Sequence, residues 1–155
     1  MSTATDSRRV GMGAVYLAAN TEALRRGDRR VGTEHLVLAV LTDPDSPTAR
    51  ALGVDLATAR ETLASLDRQA LAAIGLSLPP GPPVLAGNEK DRVKLTPAAR
   101  AVFTGLRTHA TGRRLGVHHV LLGLLQLQAP DPAAVLLDRL NVDRSTIRRR
   151  LEDLC

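Results

Sequence analysis

The segment Val31-Gly32-Thr33-Glu34-His35-Leu36-Val37-Leu38-Ala39-Val40-Leu41 returns 84 residues later as Leu115-Gly116-Val117-His118-His119-Val120-Leu121-Leu122-Gly123-Leu124-Leu125. Each copy reads as a glycine-ended loop, two polar residues and an apolar run. The run is too short to cross a membrane and suits a buried helix. A buried helix that occurs twice implies a fold unit that occurs twice.

The flanking sequence supports two sets of four helices. In the first half, Val10, Ala14, Leu17, Ala18 and Leu24 recur at helical spacing from about Arg8 to Arg26, and Gly27-Asp28 ends that helix. Thr33 is expected to cap a second helix from about Glu34 to Leu41, with Glu34 in the first turn opposing the exposed amides. Ser46-Pro47 opens a short third helix to Leu52, closed by Gly53. Asp55 caps a fourth, whose apolar residues Leu56, Ala59, Leu63, Leu66 and Ala70 step by three and four. The second half repeats this order. Thr96-Pro97 opens a fifth helix with Ala99, Val102, Phe103, Leu106 and Ala110 on one face; His118 to Leu127 forms the sixth. Asp131-Pro132 opens the seventh, to about Leu140. Asn141-Val142-Asp143 mirrors Gly53-Val54-Asp55 and leads into an eighth with Ile147, Leu151 and Leu154 as its buried stripe. No segment alternates with period two, so the fold class is all-α. The expected organisation is a frayed start over 1–7, a first repeat over 8–74, an exposed Pro/Gly-rich linker over 75–94 and a second repeat over 95–155, the two packing as one domain.

Composition removes several function classes. A chain of 155 residues is too small for a multidomain enzyme, and with aromatics at 1% its core must be built from Leu, Val and Ala. The net charge of +5 comes almost wholly from arginine, but acidic residues are mixed throughout. The only cysteine, Cys155, precludes an internal disulfide and fits a reducing compartment. No stretch has the character of a signal peptide or membrane span, so a cytoplasmic protein without membrane association is expected. There is no Gly-x-x-x-x-Gly-Lys-Ser/Thr phosphate loop and no Gly-x-Ser-x-Gly elbow. Neither catalytic residues nor a cofactor are expected, and the histidines lack metal-ligand spacing.

Gly-Thr-Glu-His-Leu leading an apolar helix, followed by Leu-Gly-Val-Asp and a further helix, resembles the Clp repeat. Two such repeats form the N-terminal domain of Clp unfoldases of the ClpA and ClpC type. The resemblance covers roughly residues 8–74 and 95–154, and it implies eight helices in two pseudo-twofold-related four-helix units. It further implies a non-catalytic module that receives substrates, adaptor proteins and, in some actinobacterial members, cyclic peptide antibiotics. Without a motor, the chain reads as a freestanding monomeric relative rather than an excised domain, an actinobacterial protein able to act as a decoy or regulator of Clp proteolysis or to associate with unfoldase subunits.

In Clp repeats similar to these, the Glu of Gly-Thr-Glu-His pairs with the guanidinium of phosphoarginine while hydroxyls and amides take the phosphate. That chemistry is sound, because a carboxylate grips guanidinium through two hydrogen bonds and helix N-termini favour phosphate. Carried over residue by residue, it points to Thr33 and Glu34 in the first repeat and to Thr96 in the second. His118 stands where the second repeat should carry glutamate, and Arg9 where the first should carry threonine. The simpler reading of Glu34 is that it only complements the helix dipole. His35 and His119 are expected to be structural, hydrogen-bonded histidines. From a different class, Arg144, Arg148, Arg149 and Arg150 with Arg113 and Arg114 suggest a DNA-binding regulator, although Asp143, Glu152 and Asp153 interrupt the charge and make nucleic acid the less favoured partner.

Overall fold

A computed structural model describes residues 11–77, 92–109 and 115–154 of the chain. Within them lie eight helices: α1 (Met12–Arg26), α2 (Thr33–Val40), α3 (Pro47–Leu52), α4 (Leu56–Ala73), α5 (Pro97–His109), α6 (Val117–Leu125), α7 (Pro132–Arg139) and α8 (Arg144–Glu152). The expectations for 1–7, for most of the linker, and for Arg9, Ala110, Arg113, Arg114 and Cys155 fall outside the described residues.

Local chemistry sets most helix ends. Ser46 accepts from the Ala49 amide, Asp55 from Thr58, and Asp143 from Ser145 and Thr146, so each satisfies amides of a first turn. Gly53 (φ 73) ends α3 and Asn141 (φ 57) follows α7, both left-handed, which explains why glycine and asparagine stand at matched places. The α2 helix is capped differently from expectation. Gly32, not Thr33, is the N-cap, and Thr33 is already in the first turn.

The apolar helices α2 and α6 touch each other at the centre. Leu36, Val37, Leu38, Val120, Leu121 and Leu124 are fully buried there. Around this pair the two halves interlock: α4 packs on α7, and reciprocally α8 packs on α3. Each half therefore covers the other's third helix.

Three buried stripes differ from those expected. On α1 the inward face is Val15, Ala19, Asn20, Glu22 and Ala23, while Ala14 is exposed and Leu17 is 44% exposed. Two polar side chains are buried there because each has a partner: Glu22 receives Arg60 Nε at 3.1 Å in a two-pronged ion pair, and Asn20 Oδ1 accepts the Val93 amide at 2.8 Å. On α4 full burial stops after Leu63; Leu66 is half-buried and Ala70 exposed among the described residues. Leu154 lies beyond α8 and is 43% exposed.

The sequence offered no strand, yet two short ones form. β1 (Arg30–Val31) and β2 (Lys94–Leu95) pair in parallel with Arg30 opposite Lys94 and Val31 opposite Leu95. Strands this short need outside support. It comes from α1, where Tyr16 Oη donates to the Val93 carbonyl at 2.7 Å and Asn20, one turn on, accepts the Val93 amide.

Candidate functional site

The candidate site is built around the entrance to α2. His35, three residues after the Gly32 cap, accepts the Gly32 amide on Nδ1 at 2.9 Å, while the His35 amide donates to the Gly32 carbonyl at 3.1 Å. The imidazole takes the place of the glutamate in a capping box. With Nδ1 accepting, the ring proton sits on Nε2 and is donated to Asp28 Oδ2 at 2.7 Å. His119 repeats the first contact, accepting from Gly116 at 2.9 Å. The Gly-x-x-His spacing in both copies is thus the signature of a histidine-closed helix entrance, and both histidines are structural as expected.

Asp28 also accepts from Arg26 Nε at 2.9 Å, and Arg26 continues to Asp67 on α4. Burial would raise the Asp28 carboxyl, but the hydrogen bonds from His35 and Arg26 and the charge of Arg26 outweigh it and hold the group below the usual carboxylate range. The loop before α2 is anchored from both sides by this cluster.

Thr33 is 1% exposed, and its hydroxyl faces the other half of the molecule. It donates to Asp131 Oδ1 at 2.7 Å and lies 3.3 Å from the Ala133 amide, which Asp131 also accepts at 2.9 Å. The residue expected to cap its own helix instead helps cap α7, almost a hundred residues away. Its polar atoms are engaged in that tie.

Glu34 is different. Its carboxylate folds back over Gly32, where even a single Cβ would collide with it, and Oε2 is buried without a hydrogen-bond partner among the described residues. The side chain as a whole keeps 19% exposure. An ionised oxygen in such a place can accept a donor from outside. Gly32 is therefore required for close approach, not for an unusual dihedral.

Thr96 meets this same loop. Its amide donates to the Val31 carbonyl at 2.9 Å, the bond that continues the β1–β2 pairing, and its hydroxyl caps α5 by accepting from Ala99 at 3.1 Å. The half-buried Thr96 and the N-terminus of α5 thus stand beside the Gly32–Glu34 turn. Glutamate comes from the first half and threonine from the second. Judging each repeat separately hid this pairing, and the structural residues that produce it, Tyr16 and Asn20, carried no sequence signal beyond their four-residue spacing.

His118 occupies the corresponding place above Gly116, with Cε1 and Nδ1 2.9 Å from where a Cβ would be. Its ring lies against His119 at a centroid distance of 4.0 Å. Burial, and then the proximity of His119, lower its pKa below 6.5 and favour the neutral ring. The two helix entrances share a backbone plan but differ in charge.

The basic C-terminal helix is partly committed to structure. Arg144 donates to the carbonyls of Leu127 at 2.6 Å and Ala134 at 3.2 Å and to Asp138 at 2.9 Å, clasping the turn before α7. Arg150 reaches the Ala51 carbonyl at 3.4 Å. No group of three or more potential metal ligands occurs among the described residues, and none of their helices is long and apolar enough to cross a membrane.

A search of curated proteins returned no match. The sequence profile of the Clp repeat (R) N-terminal domain, in contrast, matches residues 14–126, from within α1 through α6 and across the β1–β2 pairing. This span is most of the chain and contains both helix entrances; together with the eight-helix fold it places the protein in the Clp repeat N-terminal domain family.

Proposed function

We propose that the protein is a non-catalytic receptor for peptide and protein ligands of Clp proteolysis, and that its principal recognition site is the composite of Glu34, Thr96 and the N-terminus of α5. Domains of this family bind proteins in Clp systems. The observation that carries the reading is the buried Glu34 Oε2 without a hydrogen-bond partner among the described residues, three positions after Val31, whose carbonyl accepts from Thr96 at the start of α5. A carboxylate there suits a guanidinium, and the Ala98 amide at the start of α5, with the Thr96 hydroxyl, suits a phosphate on the same ligand, the amides of Ala99 and Arg100 being taken by Thr96. Phosphoarginine combines both groups. His118 supplies neither charge nor carboxylate at the second entrance, so one site per chain is expected.

As a receptor lacking a phosphate loop, the chain would act by recruiting or sequestering substrates, adaptors or cyclic peptide antibiotics. Calorimetric titration with phosphoarginine is the direct test. Heat of binding that disappears in Glu34→Ala and Thr96→Ala but persists in His118→Ala is the expected result. Equal binding by wild type and Glu34→Ala would remove this site from consideration.

A further inference from the structure

The β1–β2 ribbon breaks an elementary rule of strand pairing. Arg30 and Lys94 are direct cross-strand neighbours, and adjacent parallel strands place such side chains about 4.8 Å apart at their roots. Like charges in this relation repel. Arg29 precedes one member and Arg92 stands two positions before the other, and all four side chains are exposed. None of the four makes an ion pair or side-chain hydrogen bond among the described residues. Among the described residues, Asp28 is engaged by Arg26 and His35, and Asp67 by Arg26.

The repulsion is also held in place. Tyr16 and Asn20 grip both polar groups of the Val93 backbone, and the Thr96 amide bonds to Val31, so the strands cannot part to relieve it. A local conflict maintained by dedicated contacts is a mark of a binding surface. We infer that Arg30 and Lys94 on the ribbon, with Arg29 and Arg92 flanking it, form a docking strip for an acidic polypeptide segment.

Three features favour a peptide over nucleic acid. Arg30 and Lys94 on the strands, with Arg29 and Arg92 flanking them, match two or three carboxylates of an extended chain, whose same-face side chains recur about every 7 Å. Single-stranded nucleic acid is held by exposed aromatic platforms, whereas Tyr16 is half-buried with its hydroxyl bonded and Phe103 packs on the core. Duplex binding needs a longer basic stripe, and Arg144 of the other basic region is spent on carbonyls. The strip does not require the Glu34 carboxylate and stands apart from the phosphoarginine reading.

The test is fluorescence anisotropy of the full chain with a labelled octapeptide of alternating glutamate and serine, its glutamine counterpart, and an octamer of deoxythymidine, at about 50 mM salt. The acidic octapeptide should bind, and the glutamine peptide should not. The double variant Arg30→Gln/Lys94→Gln should weaken binding about tenfold, whereas Arg148→Gln/Arg149→Gln, which removes the same charge elsewhere, and Glu34→Ala should each change it less than about twofold. Equal losses in the two arginine-containing double variants would reduce the effect to net charge and overturn the assignment. Tighter binding of the oligonucleotide, or no binding of the acidic peptide, would overturn it equally. The ribbon variant should melt at or above the wild-type temperature, because it removes a repulsion; a lower midpoint would contradict the like-charge pair on which the inference rests.

Discussion

Thr33→Val tests whether the two halves are joined by the hydroxyl tie. Valine keeps the branched shape, and the second repeat already has Val117 at the matching place, so the substitution changes little besides hydrogen bonding. It removes a 2.7 Å bond to the Asp131 carboxylate and a longer contact from the Ala133 amide. A hydrogen bond to a charged group contributes about 1.5–3 kcal/mol. Asp131 is half-buried, so water partly replaces the lost donor, and Asp131 still accepts from Ala133. The expected loss is therefore about 1–2 kcal/mol, which for a chain of this size lowers Tm by about 2–8 °C. Urea unfolding of Thr33→Val, Asp131→Ala and the double variant would measure the coupling. A coupling of about 1 kcal/mol is expected. An unchanged Tm in Thr33→Val, or strictly additive losses in the cycle, would refute the argument that this hydroxyl joins the repeats.

Arg60→Ala leaves the buried Glu22 carboxylate without its cation and should destabilise by about 2–4 kcal/mol, less than a fully buried pair because Arg60 is 34% exposed; chemical denaturation reads it directly. The pH dependence follows from His118. Its depressed pKa means that the unfolded chain binds the proton first, so stability is greatest above 6.5 and falls as pH drops below that value toward the lower folded pKa, a slope that His118→Gln should flatten in thermal melts. Asn141→Ala places an ordinary side chain at φ 57 and should cost about 1 kcal/mol by the same denaturation assay, whereas Asn141→Gly should be nearly neutral.

Much of the architecture was legible because it rests on local chemistry. Ser46, Asp55, Asp131 and Asp143 cap where caps were expected, and the apolar runs after Gly32 and Gly116 became the central helices. What failed depends on distant partners. The stripe expected for α1 included Leu17 and omitted Asn20 and Glu22, but Arg60 on α4 and the Val93 backbone give those two polar residues partners on the inward face, and Leu17 is exposed. Ala70 and Leu154 kept the helical period of a buried stripe but are exposed among the described residues. The ribbon was illegible for the same reason: two residues have no periodicity, and their pairing is decided by Tyr16 and Asn20.

The candidate site shows how a duplicated sequence can mislead when each copy is judged alone. Neither repeat carries both the glutamate and the threonine, yet the β1–β2 pairing brings Thr96 of the second beside the Gly32–Glu34 turn of the first. The unit of function is then the contact between repeats, and selection can abandon one entrance while keeping the other. On this reading Glu34 and Thr96 act on one ligand. Calorimetry with phosphoarginine should give a stoichiometry near one per chain, and Glu34→Ala and Thr96→Ala should each abolish binding of that same ligand, because one residue serves its guanidinium and the other its phosphate. Two equivalent sites, or one of the two variants binding phosphoarginine as the wild type does, would mean that the two residues do not share a ligand and that the approach of their segments across the ribbon is only structural.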